Sequence, residues 1–438
     1  MFYFRKNRFY IFCFLLAFGI IVSSGLAIEK TGLLKNLTDD ELLNVVQKQT
    51  LRYFWEFAHP KCFMAPERDT APDMVTSGGT GFGLMCWIVG VERGWIDRSE
   101  VLHRCHVMVD FLEKADRFHG AWPHWIDGKT GKPISFSKYD DGGDIVETSY
   151  LVQGLLTIKN YFDSDNDSER ELRRKIDYLW HQVEWDWYTR GEKQLYWHWS
   201  ANHAWKMNHA IKGYNECLIT YILAASSPSH PIDSDAYHKG WTSAPEFYNG
   251  KTYYRRYKLS LGYDFGGPLF FTHYSFLGID PHKLHDRYAD YMQQNINHSM
   301  INYHYCALNP KRYKGYSKEC WGLTASDNYE GYSAHSPTND LGVITPSAAI
   351  SSIPYTPLQS MRAIRYFYEQ LGEKIWGEYG FVDSFSIHRN WYATSSLAID
   401  QGPEIIMIEN YRTGLLWKLL MQDCDIQRGL NNLGFVNP

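Results

Sequence analysis

An all-α domain of about a dozen helices, paired and closed into a double ring, is the fold that the sequence predicts. Three observations predict it. Apolar residues recur at three- and four-residue spacing in one segment after another, strand-like alternation is scarce, and the helical segments are joined by loops rich in aromatic and acidic residues. The 438 residues exceed an average domain, but repeated helical layers run to this length without a break. The ends of such a ring are built from loops, where the carboxylates and aromatic rings fall.

In chain order, Arg5, Lys6 and Arg8 precede an apolar run from Phe9 to Val22 and then Gly25-Leu26-Ala27. This pattern predicts a secretory signal, residues 1–27, cleaved after Ala27. Residues 28–438 then form one domain, periplasmic or secreted, with no stable membrane insertion. The alternative is an uncleaved anchor, since the run falls just short of the roughly 18 to 20 apolar residues that a span needs.

Leu43, Val46, Thr50, Phe54 and Phe57 set a helix from Asp39 to Ala58, with Thr38 or Asp39 starting it and Pro60 stopping it. A second helix follows Gly78, Gly79, Gly81 and Gly83. These glycines lack the Gly-Lys-Ser/Thr ending of a phosphate loop and predict tight turning and close packing at the helix mouth, with Gly94 at its far end. Leu102, Cys105, Val109 and Leu112 give a third helix, and a fourth runs from Asp144 to about Phe162. Asp163, Asp165 and Asp167 imitate a calcium loop, but Ser168 stands where Gly is needed and Arg174 where Glu is needed, so this is a polar turn before a helix from Glu169 to about Glu184. An aromatic stretch leads to a helix with Glu216 in its first turn. Residues 228–262 depart from the helical pattern with room for a short hairpin, and helices resume through GGPLFFTHYSFLG, Leu284 to Tyr305, the AAISS run and Tyr355 to Leu371. The last strong helix begins around Asp400, with Pro403 suited to a first turn.

Composition narrows the function. A formal charge of -5 with no Lys/Arg run excludes an electrostatic footprint for nucleic acid. Seven cysteines beyond the signal, with no C-x-x-C pair, predict core thiols and neither a disulfide framework nor a zinc ribbon. Aromatic residues make up 16% of the chain, enough to wall a sugar site or to fill the core.

The richest stretch is YDDGGDIVETSYLVQGLL, where Asp140, Asp141, Asp144 and Glu147 lie within eight residues. On one helix face Asp144 and Glu147 would converge with Asp140, and like charges held together raise a carboxyl's proton affinity. The same spacing describes a capping box. Both readings stand on the residues alone. Trp122, His124 and Trp125, just upstream, suit either a sugar-binding wall or a loop packed on the domain. Glu216, among Tyr214, Leu218, Ile219 and Ile222, is either a desolvated general acid or a solvent-facing residue favoured by the helix dipole. Asp400 is either a cap or a group that holds water. No H-E-x-x-H, G-x-S-x-G elbow or Walker loop occurs, so carboxylates with aromatics in an exported chain point to glycoside hydrolysis without a metal or other cofactor.

The segments VTSGGTGFGLMCWIVGVERG, RFHGAWPHWIDGKTG, DDGGDIVETSYLVQGLL, VEWDW, LYWHWS, GYNECLITYILAASSP, GGPLFFTHYSFLG, WGLTASDNYEGYSAH and LAIDQGPEIIMIENYRTGLLW, in this order, resemble the glycoamylase-like domain family that includes the endo-β-1,2-glucanases of glycoside hydrolase family 144. The resemblance covers nearly all of the mature chain. It implies an (α/α)6 barrel, no metal, and inverting cleavage of β-1,2-glucan. It places an acidic pocket at Asp140, Asp144 and Glu147, the acid at Glu216 and the base at Asp400, with Glu404 and Glu409 as nearby alternatives for orienting water. The expected partner is a glucan oligosaccharide or polysaccharide bound by a monomer. The alternatives are an exo-acting or other-linkage, glucoamylase-like hydrolase and a glucan-binding protein without catalysis.

Overall fold

The computed structural model describes residues 33–436, so the signal expected at residues 1–27 lies outside the described residues. Twelve α-helices occur among them: α1 Asp39–Trp55, α2 Ser77–Glu92, α3 Arg98–Lys114, α4 Ile145–Tyr161, α5 Asp167–His181, α6 Leu218–Ser226, α7 Tyr291–Leu308, α8 Pro346–Ser351, α9 Pro357–Ile375, α10 Ala398–Thr413, α11 Leu415–Met421 and α12 Cys424–Asn432. The strands are short, and the excursion at residues 228–262 does hold a hairpin, Thr252–Tyr253 against Tyr257–Lys258.

The rings are sorted by side-chain chemistry. SGGTGFGLMCWIVG in α2 and LITYILAAS in α6 carry no charge and are buried all round. α5 instead buries only Glu169, Leu172, Ile176, Leu179 and Trp180, a stripe at helical spacing with charged residues around it. The helices buried on every side along most of their length, α2, α4, α6, α8 and α10, form the inner ring, while α1, α3, α5 and α9 each show an outer face to water. α2 packs on α4 and α10, α4 on α6, and α10 on α8. The sixth inner place is held by two 3-10 turns, Leu269–Thr272 and Tyr274–Leu277, where a helix had been expected. Crowded aromatic residues in LFFTHYSF are poor helix formers, and the chain breaks at His273 between the turns. The turns are stitched to their neighbours by the Ile219 amide donating to Ser275 Oγ at 3.0 Å and by a 3.0 Å contact between His273 Nε2 and Ser352 Oγ. The whole is the (α/α)6 barrel.

The glycines of α2 lie inside the helix rather than in a turn before it. Their purpose is close approach. A Cβ on Gly81 would sit 2.0 Å from the Tyr150 carbonyl oxygen, and one on Gly154 would sit 2.2 Å from the Gly81 carbonyl oxygen, so α2 and α4 meet backbone to backbone. Gly94 adopts φ +69 just past the end of α2, the left-handed conformation of a helix stop. The seven cysteines are free; six are buried as expected, while Cys424 is exposed at the start of α12.

Candidate active site

The inner helices begin at one end of the barrel. Gly78 at the start of α2 donates its amide to Glu147 in the first turn of α4, Ser149 of α4 pairs with Thr220 of α6, and Ser347 of α8 donates to Asp400 of α10. The carboxyl groups are delivered to this end by the helix starts themselves.

Asp144 is the N-cap of α4, and its two oxygens do different things. Oδ1 accepts the amides of Val146 and Glu147, both at 2.9 Å. Oδ2 accepts from His124 Nδ1 and Trp197 Nε1, both at 3.0 Å. One carboxylate therefore both caps α4 and holds two side chains from other loops. The reciprocal half of a capping box is missing: the Asp144 amide donates to the Trp122 carbonyl, while Glu147 Oε2 accepts from the Gly78 amide at 3.0 Å and Thr76 Oγ1 at 3.3 Å.

His124 is the cation of this cluster. Burial alone would lower its proton affinity, but Glu147, Asp144 and Asp140 outweigh that and push it up to about 9. Asp140 is pushed up to about 7 by burial and by Asp144, against the pull of His124. Burial and Asp144 raise Glu147 in the same way. His198, 3.4 Å from Asp140, is kept neutral by burial and accepts the Gly142 amide at its Nε2. His124, Asp140 and Asp144 bring one ligand atom each within 4.8 Å, a spacing that could hold a metal ion.

The aromatic wall differs from the expected one. Trp122 is fully buried, its indole N–H donating to the Leu112 carbonyl at 3.1 Å, so it is core rather than wall. Trp125 is partly exposed and edge-on to His124, and Phe136 stacks on His124 at 4.2 Å between centroids and meets Trp125 at 4.8 Å. Phe136 and Trp197 were not singled out from the sequence. Trp197 sits in the LYWHWS segment, but nothing local marks which of its three aromatic side chains turns towards an acid twenty to sixty residues away.

Glu216 lies in the turn two residues before α6 rather than inside the helix. Ser275 Oγ donates to its carbonyl at 2.6 Å, fixing the backbone, and burial pushes its carboxyl up to about 7. Asp400 lies in the first turn of α10, which begins at Ala398, so Pro403 falls in the second turn. Asp400 Oδ1 accepts from Ser347 Oγ at 2.6 Å; burial raises this carboxyl to about 7 against that hydroxyl and a hydrogen bond from Asp383. The buried Tyr274 lies within electrostatic reach of Asp400, Glu147 and Glu216, each of which raises the proton affinity of its hydroxyl.

Of the nearby alternatives, Glu409 is structural. It accepts from Arg93 at 2.8 and 3.0 Å and lies nine residues down α10, about 13 Å along the axis. Glu404 is buried one turn below Asp400 and is held well above the usual carboxyl range by that burial. Asp383 and Asp327, beside Asp400, were missed: Asp383 is a lone acid in the apolar run GFVDSFS, with no partner nearby in sequence.

An (α/α)6 ring with carboxyls gathered at the starts of its inner helices and aromatic residues beside them defines a barrel of the glucoamylase-like class. The family model Glycoamylase matches residues 208–424. A solved structure from Bacteroides uniformis ATCC 8492 is 56% identical, with a TM-score of 0.91, and the match covers 92% of this chain and 99% of that one. The endo-β-1,2-glucanase of Chitinophaga pinensis, solved with sophorotriose and glucose, is 50% identical with a TM-score of 0.90 over 92% of this chain and all of that one. An exo β-1,2-glucooligosaccharide sophorohydrolase of Parabacteroides distasonis is 45% identical over 91% of this chain, which spans 58% of that protein's length. The chain belongs to the glycoamylase-like family.

Proposed function

We propose that the chain is an exported, monomeric glycoside hydrolase that cleaves β-1,2-linked glucan with inversion, Glu216 acting as general acid and Asp400 as general base. The observation that carries the reading is the state of Glu216. Burial holds its carboxyl at about 7, so near neutrality it has a proton to give the glycosidic oxygen as the C–O bond breaks. Water attacks the anomeric carbon from the opposite face and yields its proton to Asp400, directly or through a sugar hydroxyl; the bonding pair leaves on the glycosidic oxygen. Asp140, Asp144 and Glu147 accept sugar hydroxyls, His124 balances their charge, and Trp125 with Phe136 covers an apolar sugar face. The substrate class is supported by the relatives, one acting on β-1,2-glucan internally and one releasing sophorose from an end.

A panel of linkage-defined glucans, with products resolved by size, tests the reading. New reducing ends should come from β-1,2-glucan, either as a ladder or as stepwise disaccharide. Glu216→Gln should melt no lower than the wild type and lose at least about a hundredfold in hydrolysis. Near-normal turnover in that variant would remove Glu216 as the acid. Binding of β-1,2-glucan by the wild type without new reducing ends would leave a carbohydrate-binding protein.

A further inference from the structure

Asp400 is not the only buried acid at the start of α10. Asp383 and Asp400 are both buried, and their carboxyls are in hydrogen-bonding contact. A census of donors shows what lies between them. Asp400 Oδ1 accepts from Ser347 Oγ at 2.6 Å, and Asp383 Oδ2 accepts from the Asp327 amide at 2.7 Å and Ser384 Oγ at 3.3 Å. The remaining oxygens, Asp383 Oδ1 and Asp400 Oδ2, are shut off from solvent, and no N–H or O–H of the other described residues reaches them. Two such oxygens repel one another unless a proton lies between them.

We propose that Asp383 is a positioning residue for the base: it keeps its proton and donates it from Oδ1 to Asp400 Oδ2, so that Asp400 is the ionised member of the pair. This deepens the reading of Asp400 as base and rests on it. The surroundings decide which partner holds the proton. Asp400 is in the first turn of α10, where the helix dipole favours negative charge, and it has the Ser347 hydroxyl as a second donor. Asp383 has Asp327 as a further negative neighbour, and burial together with Asp400 and Asp327 holds its carboxyl well above the usual range. Arg68, the partner of Asp327 at 3.2 Å, is also engaged by Glu67 at 2.8 Å. Glu67, Glu404, Tyr274 and Tyr332 complete the titratable groups around the pair. Each carboxylate oxygen has two lone-pair sites, so two donors fix Asp400 and still leave it able to take a proton from water.

The test is the acidic limb of kcat/KM, where activity falls as Asp400 is protonated, measured for Asp383→Asn, Asp383→Ala and Asp400→Asn. An Asn amide donates as the protonated Asp383 does, and it carries no charge. Asp383→Asn should therefore keep the limb in place and lose only about three- to tenfold in kcat, whereas Asp383→Ala, with the donor gone, should lose about a hundredfold and move the limb up by about one pH unit. A limb that moves to lower pH in Asp383→Asn would overturn the proposal, because it means that a negative charge had been removed. Wild-type rates and limbs in both Asp383 variants, with Asp400→Asn inactive, would overturn the proposal alone. Near-normal hydrolysis by Asp400→Asn would remove the base assignment and the proposal with it.

Discussion

Asp144 shows how one side chain serves fold and site together. Its Oδ1 caps α4 and its Oδ2 holds His124 and Trp197, so a choice between capping and chemistry, which sequence leaves open, dissolves once the two oxygens are seen separately. The residue types and their crowding were legible in YDDGGDIVETSY; the division of labour was not, because Trp197 arrives from a different loop. His124 follows from the same geometry. Replacing it with Ala removes the cation among Asp140, Asp144 and Glu147, which favours protonation of the two carboxyls already raised and, if the proposed sugar site holds, weakens acceptance of sugar hydroxyls. The expected outcome is a KM for β-1,2-glucan raised about tenfold with a smaller change in kcat, read from steady-state kinetics at pH 7. The pH profile follows from two carboxyls with opposite duties. As the proposed acid Glu216 must be protonated, so activity is lost as pH rises through about 7, and as the proposed base Asp400 must be ionised, so activity is lost as pH falls through about 7. A narrow bell in kcat/KM centred near 7 is expected, and the residual activity of Glu216→Gln should lack the alkaline limb.

At the scale of elements, helices with one apolar stripe were the most legible. α1 begins at Asp39 under a Thr38 capping box, as its sequence indicates, and α5 shows its stripe plainly. The inner ring was harder to read, because a segment buried on every side has no stripe and its period is lost. LFFTHYSF illustrates this: buried at all but one position, it gives two 3-10 turns where helical alternation had been expected to continue. Asp383 escaped for a related reason, being set by a loop whose partners, Asp327 and Asp400, lie on other elements. The glycines of α2 could be recognised as purposeful, but their partner could not. Since the Gly81 Cβ would meet the backbone of Tyr150 at 2.0 Å, no rotamer change relieves the clash. Gly81→Ala should therefore destabilise the barrel by at least about 1–3 kcal/mol, the range for overpacked cores, seen as a lower urea midpoint. Gly154→Ala strains the same contact from the other side, so the double variant should cost less than the sum of the two.

The whole molecule closes through contacts that no local pattern announces. α1 is tied to the last helices of the ring by Arg412 donating to Gln47 at 2.8 Å and pairing with Asp40, and by Arg365 pairing with Asp39. That closure brings several acids into one end of the barrel, and the burial that raises their proton affinity also acts on stability. Glu216, Asp140 and Asp400 are raised to about 7, so the folded state holds protons that the unfolded chain has already released above its ordinary carboxyl range. His124, raised to about 9, acts in the same sense: its contribution is fully present below 6.5 and is lost as pH rises through 9. Below pH 6.5 an opposing set operates. Burial lowers His273 to about 3 and His298 and His335 to about 4, so the unfolded chain binds their protons first and stability gains as pH rises towards 6.5. Above 6.5 the histidine gain is complete and the decline is unopposed by them. The urea midpoint should therefore fall between pH 6.5 and pH 9, and the fall should be shallower in Glu216→Gln, whose amide does not titrate. An equal slope in that variant would mean that Glu216 is ionised in the folded protein across this range, and the proton assigned to it for catalysis would have to come from another group.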